Sequence, residues 1–262
     1  MKDSFKTIRL EISNDVATIV LNRPDIRNAF DERMIAEIHH AVDEVNSSGN
    51  IRAFVITGEG TAFSSGADVR WMKRMGKLGF EENYKDALCL ARMLEAIATS
   101  PKPSIAKVNG PAIGGGTGLV AACDVAIASE NAFFSFSEVK IGLVPACIGP
   151  YVIAKVGVGK SRELFISGQR ISADESYKLG LVNHVATAEE LDAKVNAMLN
   201  QFLSSGPEAV ATAKKLVKES PAMTPEQYIE YTARMIAELR TSPEGQEGLR
   251  AFLEKRKPNW IE

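Results

Sequence analysis

The sequence predicts an α/β protein that ends in a helical region. Three observations carry this reading. Short β-branched runs alternate with amphipathic helical stretches as far as residue 186, two of those runs empty directly into glycine-rich turns, and beyond residue 195 almost every apolar pattern has helical spacing.

Taken in order, Phe5-Lys-Thr-Ile-Arg-Leu-Glu-Ile12 alternates apolar and polar residues, and Val16-Ala-Thr-Ile-Val-Leu21 follows the turn residues Asn14 and Asp15. The chain therefore opens on two strands. Residues 22–29 form a loop, because Pro24 has no place in a central strand and Asn and Asp favour turns. Arg23 and Arg27 on this loop read either as solvated charge or as a clamp on a phosphate-bearing ligand. From Asp31, the residues Met34, Ile35, Ile38, Ala41, Val42 and Val45 recur at helical spacing until Ser47-Ser-Gly-Asn50 stops them. His39 and His40 are neighbours on this helix and face different ways, and His184 is the only other histidine. A histidine metal site or a catalytic histidine is not expected.

Residues 51–57 read as a third strand, which runs into the glycine-rich loop Gly58-Glu-Gly-Thr-Ala-Phe-Ser-Ser-Gly-Ala-Asp68. Residues 69–75 are helical, Gly76 and Gly79 interrupt, and residues 80–98 form a long amphipathic helix that stops at Ser100-Pro101. The segment between Asp68 and Phe80 reads as a mobile wall of an apolar pocket or as a surface helix docked on the core. A fourth strand, residues 104–108, feeds Asn109-Gly-Pro-Ala-Ile-Gly-Gly-Gly-Thr-Gly118, and a helical pattern starts inside that turn. The glycines Gly114 to Gly116 let the backbone come close to a bound group. The new helix aims free N–H groups and its positive end into the turn, which suits an anion or an oxyanion.

Residues 125–128 and 132–136 read as two further short strands, followed by Ser137-Glu-Val-Lys-Ile-Gly142. Glu138 is then either a helix-start residue or a buried acid with a raised pKa. Beyond Pro150, helical patterns at residues 151–156, 161–166 and 173–179 precede a short strand at 182–186. The rest is helical, with stops at Gly206-Pro207, Ser220-Pro221 and Ser242-Pro243. A boundary near residue 195 divides a core, 1–195, from a helical tail, 196–262, whose apolar faces exceed what one short core can cover. Packing across subunits is the expectation.

Composition sets the outer limits. With 45% hydrophobic and 24% charged residues and a net charge of −2, the chain is of ordinary soluble type, and nothing in its charge points to nucleic acid or a membrane surface. Cys89, Cys123 and Cys147 are far apart among apolar neighbours and read as small buried hydrophobes in a reducing compartment. No run reaches the roughly 18 uncharged residues of a membrane span, and Met1-Lys-Asp-Ser-Phe5 lacks the apolar core of a signal peptide. A cytoplasmic protein is the expectation, and an organellar form without its presequence would read the same way. Two glycine motifs are decoys. The run Gly116-Thr-Gly-Leu-Val-Ala121 fits a dinucleotide fingerprint, but only about two helical turns separate it from the next strand, and a dinucleotide crossover needs at least about 10 to 12 residues. Gly157-Val-Gly-Lys-Ser161 has Ala154 where a phosphate-binding loop has its first glycine.

With these residues in place, Asn22-Arg-Pro24, Ala62-Phe-Ser-Ser-Gly-Ala-Asp68, the glycine triplet followed by Ala122-Cys-Asp124, and Glu138 through Gly142-Leu-Val-Pro145 together resemble the enoyl-CoA hydratase/isomerase, or crotonase, family. The tail Phe252-Leu-Glu-Lys-Arg-Lys-Pro258 is similar to the family's C-terminus. The resemblance implies a spiral of ββα units with a C-terminal helical trimerisation region, assembly as a homotrimer or a dimer of trimers, and acyl-CoA thioesters as substrates. Coenzyme A then arrives as part of the substrate, and no separate cofactor or metal is implied.

Carried onto this chain, the resemblance places the backbone N–H groups of Ser65 and Gly115 on the thioester oxygen and makes Glu138 the acid/base. It lays Asp25, Arg27, Asn28 and the segment Ser65, Gly66, Ala67 and Asp68 along the CoA, with Phe252 and Lys255 of a neighbouring tail over its adenine end. The best-known hydratases carry a second glutamate where this chain has Gly118. One carboxylate suffices to move a double bond, whereas hydration needs a second group to order the water. The implied activity is that of an enoyl-CoA hydratase-type lyase, with similarity to branched or glutaconyl-type members. Double-bond isomerisation, decarboxylation, hydrolysis and a non-catalytic acyl-CoA binder are the alternatives.

Overall fold

The computed structural model describes residues 5–261, so the Met1-Lys-Asp-Ser stretch read above lies outside the described residues. Strand β1 (Ile8–Ser13) turns at Asn14, which takes up a left-handed φ of 52°, and pairs antiparallel with β2 (Val16–Leu21). Helix α1 (Glu32–Ser47) follows, N-capped by the Asp31 side chain, which accepts from the Met34 N–H. Then come β3 (Ala53–Gly58), α2 (Val69–Met75), α3 (Phe80–Thr99), β4 (Ser104–Val108), β5 (Ala112–Ile113) and α4 (Gly115–Ala122). Strands β6 (Val125–Ser129) and β7 (Phe133–Ser135) lead through a 3-10 turn (Ser137–Ile141) into α5 (Gly149–Ser167). The order closes with β8 (Arg170–Ser172), α6 (Ala173–Leu179), β9 (His184–Ala186) and four helices, α7 (Leu191–Leu203), α8 (Pro207–Glu219), α9 (Pro225–Thr241) and α10 (Pro243–Glu254).

Strands β1, β2, β3, β4, β6 and β9 lie in that order in one sheet, in which every pairing after the opening hairpin is parallel. Both faces of this sheet are covered, which is why its strands read as continuous apolar runs. Phe54, Ile56, Ala106 and Val108 point into the main core with the inner faces of α1 and α3. Ala53, Val55, Ile105 and Ile127 point the other way, against Leu191, Val195 and Leu199 of α7. Residue 195, near which the sequence reading divides core from tail, therefore sits inside α7, which packs on the sheet.

A second sheet, β5-β7-β8, stands beside the first. Two of its strands, β5 and β8, have no sequence signal, since runs of two and three residues carry no period. The helical patterns at 151–156 and 161–166 form the single element α5, broken at Gly157, whose φ is 76°. All three cysteines are free, and Cys123 is buried and Cys147 half-buried as expected, but Cys89 is exposed. It lies on the outer side of α3, which the spacing alone assigns less sharply than the inner side. Among the described residues no helix is long and apolar enough to cross a membrane, and no group of three metal-ligating side chains occurs.

Candidate active site

The two glycine turns lie against each other. The N–H groups of Phe63 and Ser64 both donate to the Pro111 carbonyl at 3.1 Å, and the Ile113 N–H donates to the Ser64 carbonyl at 2.9 Å, a parallel bridge between the loop after β3 and the strand β5. Glycine is required where they touch. A Cβ on Gly66, whose φ is +84°, would stand 2.7 Å from the Ile113 carbonyl oxygen and 3.8 Å from the Gly115 nitrogen, and one on Gly116 would stand 2.6 Å from the Ser64 carbonyl oxygen.

Two backbone donors are left open in this junction. Gly115 is the first residue of α4, so its N–H has no acceptor within the helix. On the other turn, Phe30 donates to the Gly66 carbonyl and accepts from the Asp68 N–H, both at 2.7 Å, and Ala67 between them turns its own N–H away and makes no hydrogen bond among the described residues. The Ser65 N–H, the donor expected from the sequence, instead donates to the Arg27 carbonyl at 2.9 Å. The left-handed φ of Gly66 lies between them, and it is this backbone reversal, invisible in residue spacing, that leaves the Ala67 N–H and not the Ser65 N–H without an acceptor among the described residues.

Glu138 comes to the same junction from the 3-10 turn after β7, a turn closed by Gly142 at φ 77°. Its Oε1 lies 3.0 Å from the place a Cβ on Gly114 would occupy. The carboxylate is thus next to the start of α4. Its Oε2 is buried with no hydrogen-bond partner among the described residues, and burial raises its pKa above the ordinary glutamate value, outweighing a hydrogen bond from its own backbone N–H. The buried-acid reading of this residue fits, and the helix-start reading fits also, since Glu138 lies in the first turn of the 3-10 segment.

Gly118 lies one turn further along α4 and is buried. A side chain there would be driven into Ile148, whose Cβ is 2.8 Å from the Cβ position. Ile148, itself 2% exposed, fills the room that a second acid would need. Nothing in its sequence context singles it out, and the two positions are 30 residues apart in the chain.

The loop residues divide into two groups. Asp25 and Arg27 are exposed, and Arg27 and Asn28 both take left-handed φ values, 54° and 55°. Asn28 is fully buried: its Oδ1 accepts from the Arg23 N–H at 2.9 Å and its Nδ2 donates to the carbonyls of Glu59 and Ala62 at 2.9 and 2.8 Å. Arg23 is bound inward, to Asp31 at 3.0 Å and Asp68 at 2.8 Å. The Asp68 carboxylate also caps α2 by accepting from the Arg70 N–H at 2.7 Å, and these partners hold its pKa down despite burial. The side chains of Asn28 and Asp68 therefore build the scaffold, and their backbone groups are engaged too: the Asn28 N–H donates to the Arg23 carbonyl and its carbonyl accepts from the Ser64 hydroxyl, while the Asp68 N–H donates to the Phe30 carbonyl. Phe252 is 81% exposed, and it and Lys255 stand at the end of α10, which packs on α9.

Similarity to known proteins agrees with this geometry. A model of the enoyl-CoA hydratase/isomerase family matches residues 11–262. A crotonyl-CoA hydratase of Syntrophomonas wolfei is 34% identical over 260 residues, covering 98% of this chain and 99% of that protein. A short-chain-enoyl-CoA hydratase of Clostridium acetobutylicum is 31% identical over 255 residues, covering 97% of each. The crystal structure of an enoyl-CoA hydratase from Shewanella pealeana superimposes with a TM-score of 0.95 at 36% identity, covering 98% of this chain and 96% of that one. With open donors at Ala67 and Gly115, an unpaired carboxylate at Glu138 and a match that runs almost end to end, the chain belongs to the enoyl-CoA hydratase/isomerase family.

Proposed function

We propose that this enzyme hydrates the double bond of a 2-enoyl-CoA, or removes water in the reverse direction, with Ala67 and Gly115 as the oxyanion donors and Glu138 as the single acid/base. The observation that carries the reading is the unpaired Glu138 carboxylate beside a turn that offers two open N–H groups. When water adds to the β-carbon, the electron pair of the double bond moves onto the thioester oxygen, and that oxygen becomes an enolate. Two preset N–H groups, one at a helix start, stabilise this charge without reorganising, and losing one such donor costs about 10²- to 10³-fold in rate. Glu138 accepts a proton from the attacking water and returns it to the α-carbon, which regenerates the carboxylate. In this reading CoA enters as part of the substrate, with Arg27, which is exposed, as the contact for its phosphates.

Double-bond isomerisation is the second reading, and the Gly118–Ile148 contact favours it, because shifting a proton from the α- to the γ-carbon needs one carboxylate only. An ultraviolet assay separates the two, with crotonyl-CoA as hydration substrate and a 3-enoyl-CoA as isomerisation substrate. Loss of the crotonyl chromophore in the wild type, and at least about 100-fold less of it in Glu138→Gln, is the expected result. Full activity in Glu138→Gln would remove the assignment. Turnover of the 3-enoyl-CoA alone would transfer it to isomerisation.

A further inference from the structure

Helix α4 is only about two turns long, and the open Gly115 N–H belongs to its first residue. So short a helix is marginal by itself, and the contacts at its two ends decide where that N–H points. At the near end, the Gly114 N–H donates to the Ser135 carbonyl and the Thr117 hydroxyl to the Ala112 carbonyl, both at 2.8 Å.

The far end is closed by Asp124. Its N–H donates to the Ser104 hydroxyl at 3.0 Å, and its Oδ2 accepts from the Ser104 N–H and hydroxyl, both at 2.8 Å. Ser104 opens β4, which runs through the glycine turn into α4, and β6 then returns beside β4 in parallel. The reciprocal Ser104–Asp124 pair thus closes strand, turn and helix into one unit, with Gly115 at the opposite end. The same Oδ2 accepts from Lys214 Nζ at 2.6 Å, and that ammonium also donates to the Lys102 carbonyl at 2.8 Å. The Asp124 and Lys214 side chains are 28% and 15% exposed, so this is not one of the loosely held ion pairs of an open surface. The charge of Asp124 also acts on Lys155, but the buried Nζ of Lys155 has no hydrogen-bond partner among the described residues. No residue of α8 is fully buried, and Lys214 is the side chain by which this helix reaches the back of α4.

Resting on the reading just given, we propose that Lys214 is a positioning residue for the Gly115 donor: by holding Asp124 it fixes α4 along its axis, and with it the direction of the N–H that receives the enolate charge. Lys214 itself touches no reacting atom. A donor slightly out of place loses more against a full negative charge than against the neutral carbonyl of the bound substrate. Removing the ammonium therefore costs kcat and leaves KM almost as it was.

The test compares the wild type with Lys214→Met, Lys214→Arg, Asp124→Asn and the Lys214→Met/Asp124→Asn double variant. With crotonyl-CoA, Lys214→Met is expected to lower kcat at least about tenfold with KM within about threefold, and Lys214→Arg, which keeps charge and donors, to recover most of the loss. The double variant should lose no more than the worse single one, because the two residues act in series. A second readout is independent of turnover. The absorption band of para-dimethylaminocinnamoyl-CoA moves to longer wavelength when hydrogen-bond donors polarise its thioester carbonyl, and Lys214→Met should forfeit at least about half of the shift seen on binding to the wild type. Light scattering and thermal scans verify mass and fold. Should Lys214→Met not fold, Asp124→Asn, which keeps an oxygen for Ser104 and gives up the charge, carries the same two expectations. Unchanged kcat and band in a folded variant, a loss confined to KM, or single losses that simply add in the double variant would overturn the proposal. A band shift that depends on Lys214 without any hydration of crotonyl-CoA would overturn the hydratase reading and leave this one standing.

Discussion

At the scale of single residues, the site is defined by groups that folding leaves unsatisfied. Glu138 has a raised pKa in the folded chain, so between its unfolded and folded values the native state binds more protons than the unfolded state. The stability this group lends is full at low pH and falls as pH rises through the folded pKa. Glu138→Gln is therefore expected to melt at a higher temperature than the wild type at pH 8, with the difference vanishing near pH 4, whatever its effect on activity. A scanning-calorimetry series across pH checks this, and a lower melting temperature at pH 8 would show that the carboxylate is stabilised by something the fold does not contain. The acid limb of kcat/KM should likewise fall above the ordinary glutamate range, because hydration needs Glu138 ionised in the free enzyme. Gly118 gives a complementary case. Because Ile148 occupies its Cβ position, Gly118→Glu alone should cost at least about 1 to 3 kcal/mol through overpacking. The double variant with Ile148→Gly should recover part of that loss, as read from urea midpoints, and only the double variant should give the new carboxylate room to order water.

At the scale of elements, the loop at 22–30 and the turn at 59–68 act as one unit, stapled by Asn28 and by the Arg23 pairs to Asp31 and Asp68. Asn28→Ala leaves a backbone N–H and two carbonyls without partners in a buried place, each worth about 1 to 3 kcal/mol when unsatisfied. The expected outcome is a lower urea midpoint together with a raised KM for acyl-CoA, since the staple also sets where Ala67 points. These contacts show what a sequence can and cannot convey. The helices α1 and α3 and the strands β2, β3 and β4 were legible because periods of 3.6 and 2 persist over enough residues to be counted. The strands β5 and β8 were not, since each is defined by partners far away in the chain rather than by its own pattern. That Glu138 and the start of α4 come to one junction is a matter of tertiary contact, which the motifs around them do not spell out. The choice between Ser65 and Ala67 depended on the φ of Gly66, and the structural use of Asn28 and Asp68 depended on which buried donors lay within reach.

At the scale of the whole molecule, the C-terminal helices are unfinished in one chain. Among the described residues of α8, α9 and α10 only Ala251 is fully buried, although each helix has a well-marked apolar side. Val217, Ile229, Phe252 and Leu253 are 74%, 68%, 81% and 78% exposed. A cavity of about 490 Å³ opens between α8 and α9, lined by Ala213, Leu216, Tyr228, Met235 and Ile236. Single exposed hydrophobes are ordinary, but their recurrence on three successive helices around an apolar cavity is what a surface made for a protein partner would carry. We propose that the cover is the same surface region of further copies, giving the trimer or dimer of trimers expected from the sequence, and that this assembly brings a neighbour's Phe252 and Lys255 towards the CoA. Light scattering should then give three or six times the 28.4 kDa of one chain. Ile229→Lys provides the control: on a monomer, a substitution at an exposed position changes stability by no more than about 0.5 kcal/mol, whereas at a subunit contact it should lower both the mass and the melting temperature. A monomer at micromolar concentration, with Ile229→Lys indistinguishable from it, would mean that the helices leave their apolar sides in water, and Phe252 and Lys255 would then have no route to the acyl-CoA.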